Sequence, residues 1–388
     1  MNEERRSFLL DCYAKEWDPE FLEHRDFKED DSYLKWKEKG LIACGDPIRI
    51  DGEDPQVDGE GLRIFLRDYD DGGPLYGAED VEEFCEDKQL QDILSGEAFE
   101  YLKRNVWIDD RSRSGEYREY QNPMTPYTLF RALDESRFDN NNEKPDADQR
   151  RMLFVDLEPY HILVLAETAS ELQVPVLRDA IQKHLALETS LRVHIPLKGI
   201  SMFHLELHLP YFALRQSTRP TSSHLGNKRQ CIDLSFLTTR SNGRPSQLRY
   251  KIFDAQISFV ISGWEDSRWV AWSFIDNYFS EEELLDIDGY PYKGFVEDPI
   301  AKGQLDQNKP LVNPREYFLM ILKVRSEQVL QEWEWVVQTV KRNVKRYVRM
   351  FSFHPFALTL TVTVERRATS GEAARVYITK GRTNPRDV

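Results

Sequence analysis

From Arg315 to Phe351 the chain contains neither glycine nor proline, and this run constrains the fold more than any other. Asn313-Pro314-Arg315-Glu316 opens it. The Asn side chain can accept from free backbone N–H groups, Pro suits the first helical position, and Glu three residues past the cap can close a capping box. Apolar residues then recur at Phe318, Leu322, Val329, Trp333, Val336, Val340, Val344, Tyr347 and Phe351. The spacing predicts one helix about 55 Å long, longer than a small domain is wide. Lys341, Arg342, Lys345, Arg346 and Arg349 gather at its end, where cations suit the helix dipole. Two expectations compete. The second half packs on another copy or another domain, or the helix is a stalk leading to a membrane with its basic end at the lipid surface.

No span for such a stalk is visible. The longest unbroken aliphatic run is Ile162 to Ala166, far short of the ~20 apolar residues that cross a bilayer. With 388 residues, 40% hydrophobic and 12% aromatic, the chain can fill a sizeable core in two or three domains. A net charge of -15 disfavours a nucleic-acid partner. The charge is uneven: residues 1–100 hold 30 acidic and 12 basic side chains, which reads as a solvated face. Cys12, Cys44, Cys85 and Cys231 lie 32, 41 and 146 residues apart, matching no zinc or redox spacing. The N-terminus has no secretory apolar region. A soluble, cytoplasmic protein is expected.

The pattern divides the chain into four parts. Residues 1–150 are acidic and loop-rich, with short helices expected at Phe8–Trp17 and Asp80–Leu94 and a strand at Leu62–Leu66; 109–122 and 134–150 read as exposed loops. Residues 151–312 form an α/β body. In it Met152–Leu157 is a strand, and Pro159 and Pro175 each start a helix. Leu191–Ile195 and Phe203–Leu209 alternate as a half-buried hairpin. Further strands are expected at Cys231–Leu237 and Ile252–Ile261, the latter closed by Gly263, and Asp266–Phe279 reads as a helix. Residues 313–351 are the long stalk-like helix and 352–388 an atypical tail. The expected fold class is α/β, with a mixed or largely antiparallel sheet, flanking helices and that terminal helix. The tail, with alternation at Leu358–Val364 and no apolar face after Glu365, suggests a chain truncated or mis-spliced after about residue 350.

Several stretches together carry a resemblance. They are Val155-Asp156-Leu157-Glu158-Pro159, Ala166-Glu167-Thr168-Ala169-Ser170 with Pro175-Val176-Leu177-Arg178-Asp179-Ala180, and His208-Leu209-Pro210-Tyr211-Phe212-Ala213-Leu214-Arg215. Further on come Trp272–Phe279, Asp298-Pro299-Ile300 and Asn313–Leu319. The set resembles the soluble N-terminal region of the CorA-like proteins of filamentous fungi, relatives of magnesium and zinc transporters, over about residues 150–350. The resemblance implies a cytosolic α/β domain, a long stalk helix, then two membrane helices. The Gly-Met-Asn motif that carries ion selection in true CorA transporters is absent from this sequence, so no transport residue carries over.

His204, Glu206 and His208 fall on one face of a strand, and His194 on the preceding strand can sit opposite. Histidines with a carboxylate make a zinc set, so these four are the candidate metal ligands. The competing reading is a polar stripe on the sheet surface. Gly52–Gly61 is acidic but lacks the order of a calcium loop. No catalytic motif and no cofactor-binding loop stands in the sequence; the only cofactor expected is a divalent cation, Mg or Zn. The function expected is a CorA-like domain without transmembrane segments, non-transporting, with a regulatory or interaction role. Its partner would be another copy, or a full-length CorA-like relative, through the long helix. A truncated divalent-cation transporter-like protein, or an unrecognised enzyme on an α/β scaffold, is the alternative.

Overall fold

The computed structural model describes residues 60–66, 77–95, 102–138, 144–170, 172–195, 202–217, 229–234, 249–279, 297–307, 309, 311–352, 360–364 and 376–380. The helix expected at Phe8–Trp17 and the acidic stretch at 52–59 lie outside them. Three short helices lead: α1 (Glu60–Leu66), α2 (Ala78–Phe84) and α3 (Leu90–Leu94). Then follow β1 (Val106–Arg111), α4 (Pro126–Asp134), β2 (Gln149–Val155), α5 (Pro159–Thr168), α6 (Val174–Leu185), β3 (Ser190–His194) and β4 (Phe203–Ser217). The body closes with β5 (Cys231–Asp233), β6 (Arg249–Glu265), β7 (Arg268–Ile275) and α7 (Pro314–Ser352).

One seven-stranded sheet organises the body, in the order β1-β2-β7-β6-β4-β3, with β5 also on β6. β2 and β7 run parallel; every other pair is antiparallel. Helices α1 to α6 cover one face, where Met152, Phe154, Trp272 and Phe274 meet Ile162, Leu165, Leu177 and Ile181. The first part of α7 covers the other, where Leu205, Leu207, Phe259 and Trp269 meet Tyr317, Phe318 and Ile321. The fold is thus α/β with a mixed, largely antiparallel sheet, flanking helices and a long C-terminal helix, as the sequence implies.

Three elements differ from expectation. Leu62–Leu66 belongs to a helix, not a strand; a five-residue apolar run has no period that separates the two. Asp266–Phe279 holds a strand, β7, not a helix. Its residues from Trp269 to Ile275 are all buried, and a strand covered on both faces reads as a continuous apolar run rather than an alternation. The stretch from 109 is not an exposed loop at its start: all six residues of β1 are buried. Asp109 pairs in register with Arg151, and Asp110 with Arg150, one couple on each face of the sheet. Charge in the sequence suggests solvent, but here the charges neutralise one another inside.

The expected boundary at 150/151 falls inside β2. β1 completes the same sheet, and α1 to α3 share its core. The described part of 1–150 therefore belongs to the body. Gly263 does not close β6, which continues to Glu265 through a register shift; a Cβ at Gly263 would run into the carbonyl of Arg268. In the tail, Leu360–Val364 (β8) pairs antiparallel with Val376–Lys380 (β9), so the segment after Glu365 contains a strand.

Helix α7 runs for 39 residues, about 58 Å at the standard rise. Asn313 caps it: its Oδ1 accepts from the N–H groups of Arg315 at 2.9 Å and Glu316 at 3.3 Å. Two contacts with β4 mark where it leaves the sheet. Arg215 forks onto Glu332 with two bonds of 2.8 Å, and Phe212 meets Trp333 edge-to-face.

Candidate functional site

The alternation in β3 and β4 sets His204, Glu206 and His208 on the face beneath α6. The sequence suggests a half-buried hairpin, but β4 is buried on both sides here: Glu206 and His208 are fully enclosed. What covers them is polar. Lys183 and His184, adjacent near the end of α6, turn down onto this floor and are buried themselves. Neither residue carries a motif in the sequence, because the strand residues they meet, Glu206 and Ser258, lie 23 and 74 positions further along the chain.

Glu206 is the most heavily bonded group in the cluster. Lys183 Nζ donates to its two oxygens at 2.8 and 3.0 Å, His204 Nε2 lies 2.9 Å away, Ser190 donates its hydroxyl, and Arg192 Nε stands at 3.4 Å. Burial alone would raise this carboxyl; the hydrogen bonds from His204, Lys183 and Ser190 outweigh it and hold it well below the usual carboxylate range. Asp179 Oδ2 takes a third proton of Lys183 at 2.6 Å.

Donor atoms of Asp179, His204 and Glu206 lie within 4.8 Å of one another, a spacing that suits a metal ion. His194 and His208 stand outside that group among the described residues. His194 faces His204 in register but is exposed. The group's centre of charge is the Lys183 ammonium, which already supplies a cation to both carboxylates. A metal there would have to displace it and meet Arg192 as well.

His208 belongs to a second chain of contacts. Its Nδ1 lies 2.8 Å from Ser258 Oγ, and His184 Nδ1 lies 2.9 Å from the same oxygen. His184 Nε2 is 3.3 Å from Asp276 Oδ1, off the line of a good hydrogen bond. Arg229 grips Asp276 Oδ2 at 2.8 Å, and it also donates to the carbonyls of His184 and Leu185 at the end of α6. Ser258 has one proton for two imidazoles. A proton on His184 Nε2 faces the carboxylate, so His184 Nδ1 accepts from Ser258 and His208 Nδ1 donates to it. His208 Nε2 is then left without a hydrogen-bond partner among the described residues. Burial pushes both imidazoles down, His208 to about 3, so both are neutral. Burial would raise Asp276, but His184, Arg229 and the Gln256 N–H together keep it low.

Serine, histidine and aspartate in sequence contact form a nucleophile array when the hydroxyl is open to substrate. Here Ser258 is fully buried, His184 is 1% exposed and Asp276 2%. The chain is enclosed beneath α6, and its chemistry is that of a buried polar network that fixes how the helix seats.

The feature open to solvent lies on α7. Tyr317, Ile321, Val324 and Arg325 are buried against the sheet, and Thr339 and Asn343 continue that same side of the helix. A different side is apolar and exposed: Leu330 at 58%, Trp333 at 40%, Val337 at 58% and Val344 at 45%. The sequence shows the apolar spacing but not that it splits into an anchoring face and an open one. Among the described residues no helix is long and apolar enough to cross a membrane. No family model, no curated protein and no solved structure matches this chain.

Proposed function

We propose that this chain is a CorA-like, non-transporting regulatory or interaction protein whose α/β body holds out α7 as an assembly surface. The order of elements supports the reading: a mixed sheet flanked by helices, then a single 39-residue helix. The observation that carries it is the exposed apolar side of α7 at Leu330, Val337 and Val344, opposite a side on which Tyr317, Ile321, Arg325, Thr339 and Asn343 are buried. Exposed apolar surface gathered on one face marks a contact site. A helix already anchored at one end pays little ordering cost when it docks.

The experiment is light scattering across a concentration series on the wild type and on Val337→Asp/Val344→Asp. The wild type is expected to exceed the 45.7 kDa of one chain and the variant to stay at it, with melting temperatures within a few degrees. A wild type that remains one chain at every concentration overturns the reading.

A further inference from the structure

We infer that the partner on α7 is a second copy of this chain, docked antiparallel as a two-stranded coiled coil over residues 330–347. The inference rests on the assembly reading above and goes further, to the partner's identity and direction.

The first observation is the repeat. Leu330, Trp333, Val337, Val340, Val344 and Tyr347 are separated by 3, 4, 3, 4 and 3 residues. That is an unbroken heptad seam, the pattern that keeps one stripe facing a partner helix. Leu330, Val337 and Val344 are at least 45% exposed; Trp333, at 40%, keeps one edge on Phe212, and Val340 and Tyr347 are half-buried. A seam this short does not hold an isolated peptide helical. Here the helix is already formed, because its first turns are seated on the sheet.

Charge supplies the direction. Glu327, Glu332 and Glu334 precede or overlap the start of the seam, with no cation between Ser326 and Trp335. Glu332 is engaged by Arg215, and Glu327 and Glu334 are exposed. Lys341, Arg342, Lys345, Arg346 and Arg349 follow, all exposed, with no acid among them. Of these five, Lys341 borders the seam and the other four lie further round the helix; parallel pairing sets the two like-charged ends side by side. Antiparallel pairing lays the acidic stretch of one copy along the basic stretch of the other.

The register follows from the seam. Leu330 stacks on Tyr347 of the other copy, Trp333 on Val344, and Val337 on Val340. Glu334 and Lys341 occupy equivalent flanking positions seven residues apart. Antiparallel packing brings such positions of the two helices together, so twofold symmetry gives two Glu334–Lys341 pairs. The two α/β bodies then sit at opposite ends of the paired helices.

The test uses full-length chain at low salt. Glu334→Lys and Lys341→Glu are each expected to weaken the dimer about tenfold, by turning two attractions into two repulsions. The double variant, with the charges exchanged, is expected to recover wild-type affinity. In a parallel dimer these side chains do not meet, and the double variant is no tighter than the singles. Leu330→Cys is the second arm, with the oxidised wild type as baseline. It is expected to form no additional disulfide dimer alone, and to form one when mixed with Tyr347→Cys. A Leu330 self-disulfide, or no charge rescue in a chain that does dimerise, overturns the antiparallel inference and leaves the assembly reading standing. A wild type that never dimerises overturns both.

Discussion

The guanidinium of Arg151 bonds the carboxylate of Asp298 at 2.8 Å, joining positions 147 residues apart. Arg151 also donates to Asp109 through two of its nitrogens. Asp298 accepts from Tyr317 at 2.8 Å and, at its other oxygen, from the N–H of Ile300 at 2.8 Å. One cation thus links the edge of the sheet, the loop before α7 and the first turn of α7. All four side chains are at most 4% exposed. Burial, then the carboxylate of Asp298, push the Tyr317 hydroxyl well above its ordinary pKa, so it stays a donor.

Replacing Arg151 by Met takes the cation from buried Asp298 and leaves Asp109 with the cation of Arg111 alone, at 3.0 Å. The expected loss is about 3–5 kcal/mol, the range for breaking one side of a buried ion pair. Urea unfolding measures it. A loss under about 1 kcal/mol would contradict the buried, uncompensated state expected of Asp298 in the variant.

Removing the cap of α7 tests a smaller effect. Asn313→Ala frees two N–H groups, and about 1 kcal/mol of stability should go with them. Thermal unfolding checks this, with Asn313→Asp expected to stay near the wild type.

Acid should begin to destabilise the protein below about pH 6.5, where unfolded histidine takes up its proton. His161, His184 and His208 are neutral when folded, held down by burial, His161 and His208 to about 3. In the unfolded chain each takes a proton near pH 6.5. A depressed folded pKa gives stability that is full above the unfolded value and lost as pH falls. The slope is about 1.4 kcal/mol per pH unit for each histidine. Asp156 opposes this. Burial raises it to about 6, so its contribution is full below its unfolded pKa and lost as pH rises through 6. The net expectation as pH falls from about 6 to about 4.5 is a loss led by His161 and His208, about 1.4 kcal/mol per unit once Asp156 is set against them, with His184 acting in the same direction. Urea unfolding at a series of pH values measures the slope; stability that stays flat over this range contradicts the assignment.

Lys183 is expected to exclude metal from the cluster beneath α6. In Lys183→Ala, Asp179 and Glu206 lose their shared ammonium and, with His204, remain close enough to hold Zn²⁺. Zinc should raise the melting temperature of the variant, since a ligand that binds only the folded state stabilises it, and leave that of the wild type unchanged. Equal shifts in both would mean that Lys183 does not occupy the site.

The sequence makes the repeating features legible. The capped helix, the hairpin of β3 and β4, and the helices after Pro159 and Pro175 all follow from period and punctuation. Two departures, β1 and β7, share one cause: residue identity does not fix environment. Charged Asp109 and Asp110 suggest solvent, yet the arginines that meet them across the sheet, Arg151 and Arg150, lie 40 residues or more away. Apolar β7 suggests a helix because neither face touches water. In the candidate site the residues on β4 were visible as an alternating set. Lys183, His184, Ser258 and Asp276 were not, because nothing local connects a helix end to strands far along the chain. Their signal was weak: a Lys-His couple near the end of an amphipathic helix.

Placing one acid on each side of β1 also governs how the strand may dock. Shift β1 by one position along β2 and Arg151 comes opposite Ile108, with Asp110 opposite Gln149. Shift it the other way and Asp109 meets Met152, while Arg111 meets Arg150. Either slip also exchanges Trp107 with its neighbours between the two cores and leaves a buried charge uncompensated. The doubled couple therefore proofreads assembly of the sheet edge. It also ties the four positions together chemically, because reversing the sign of any one sets two like charges side by side inside the fold.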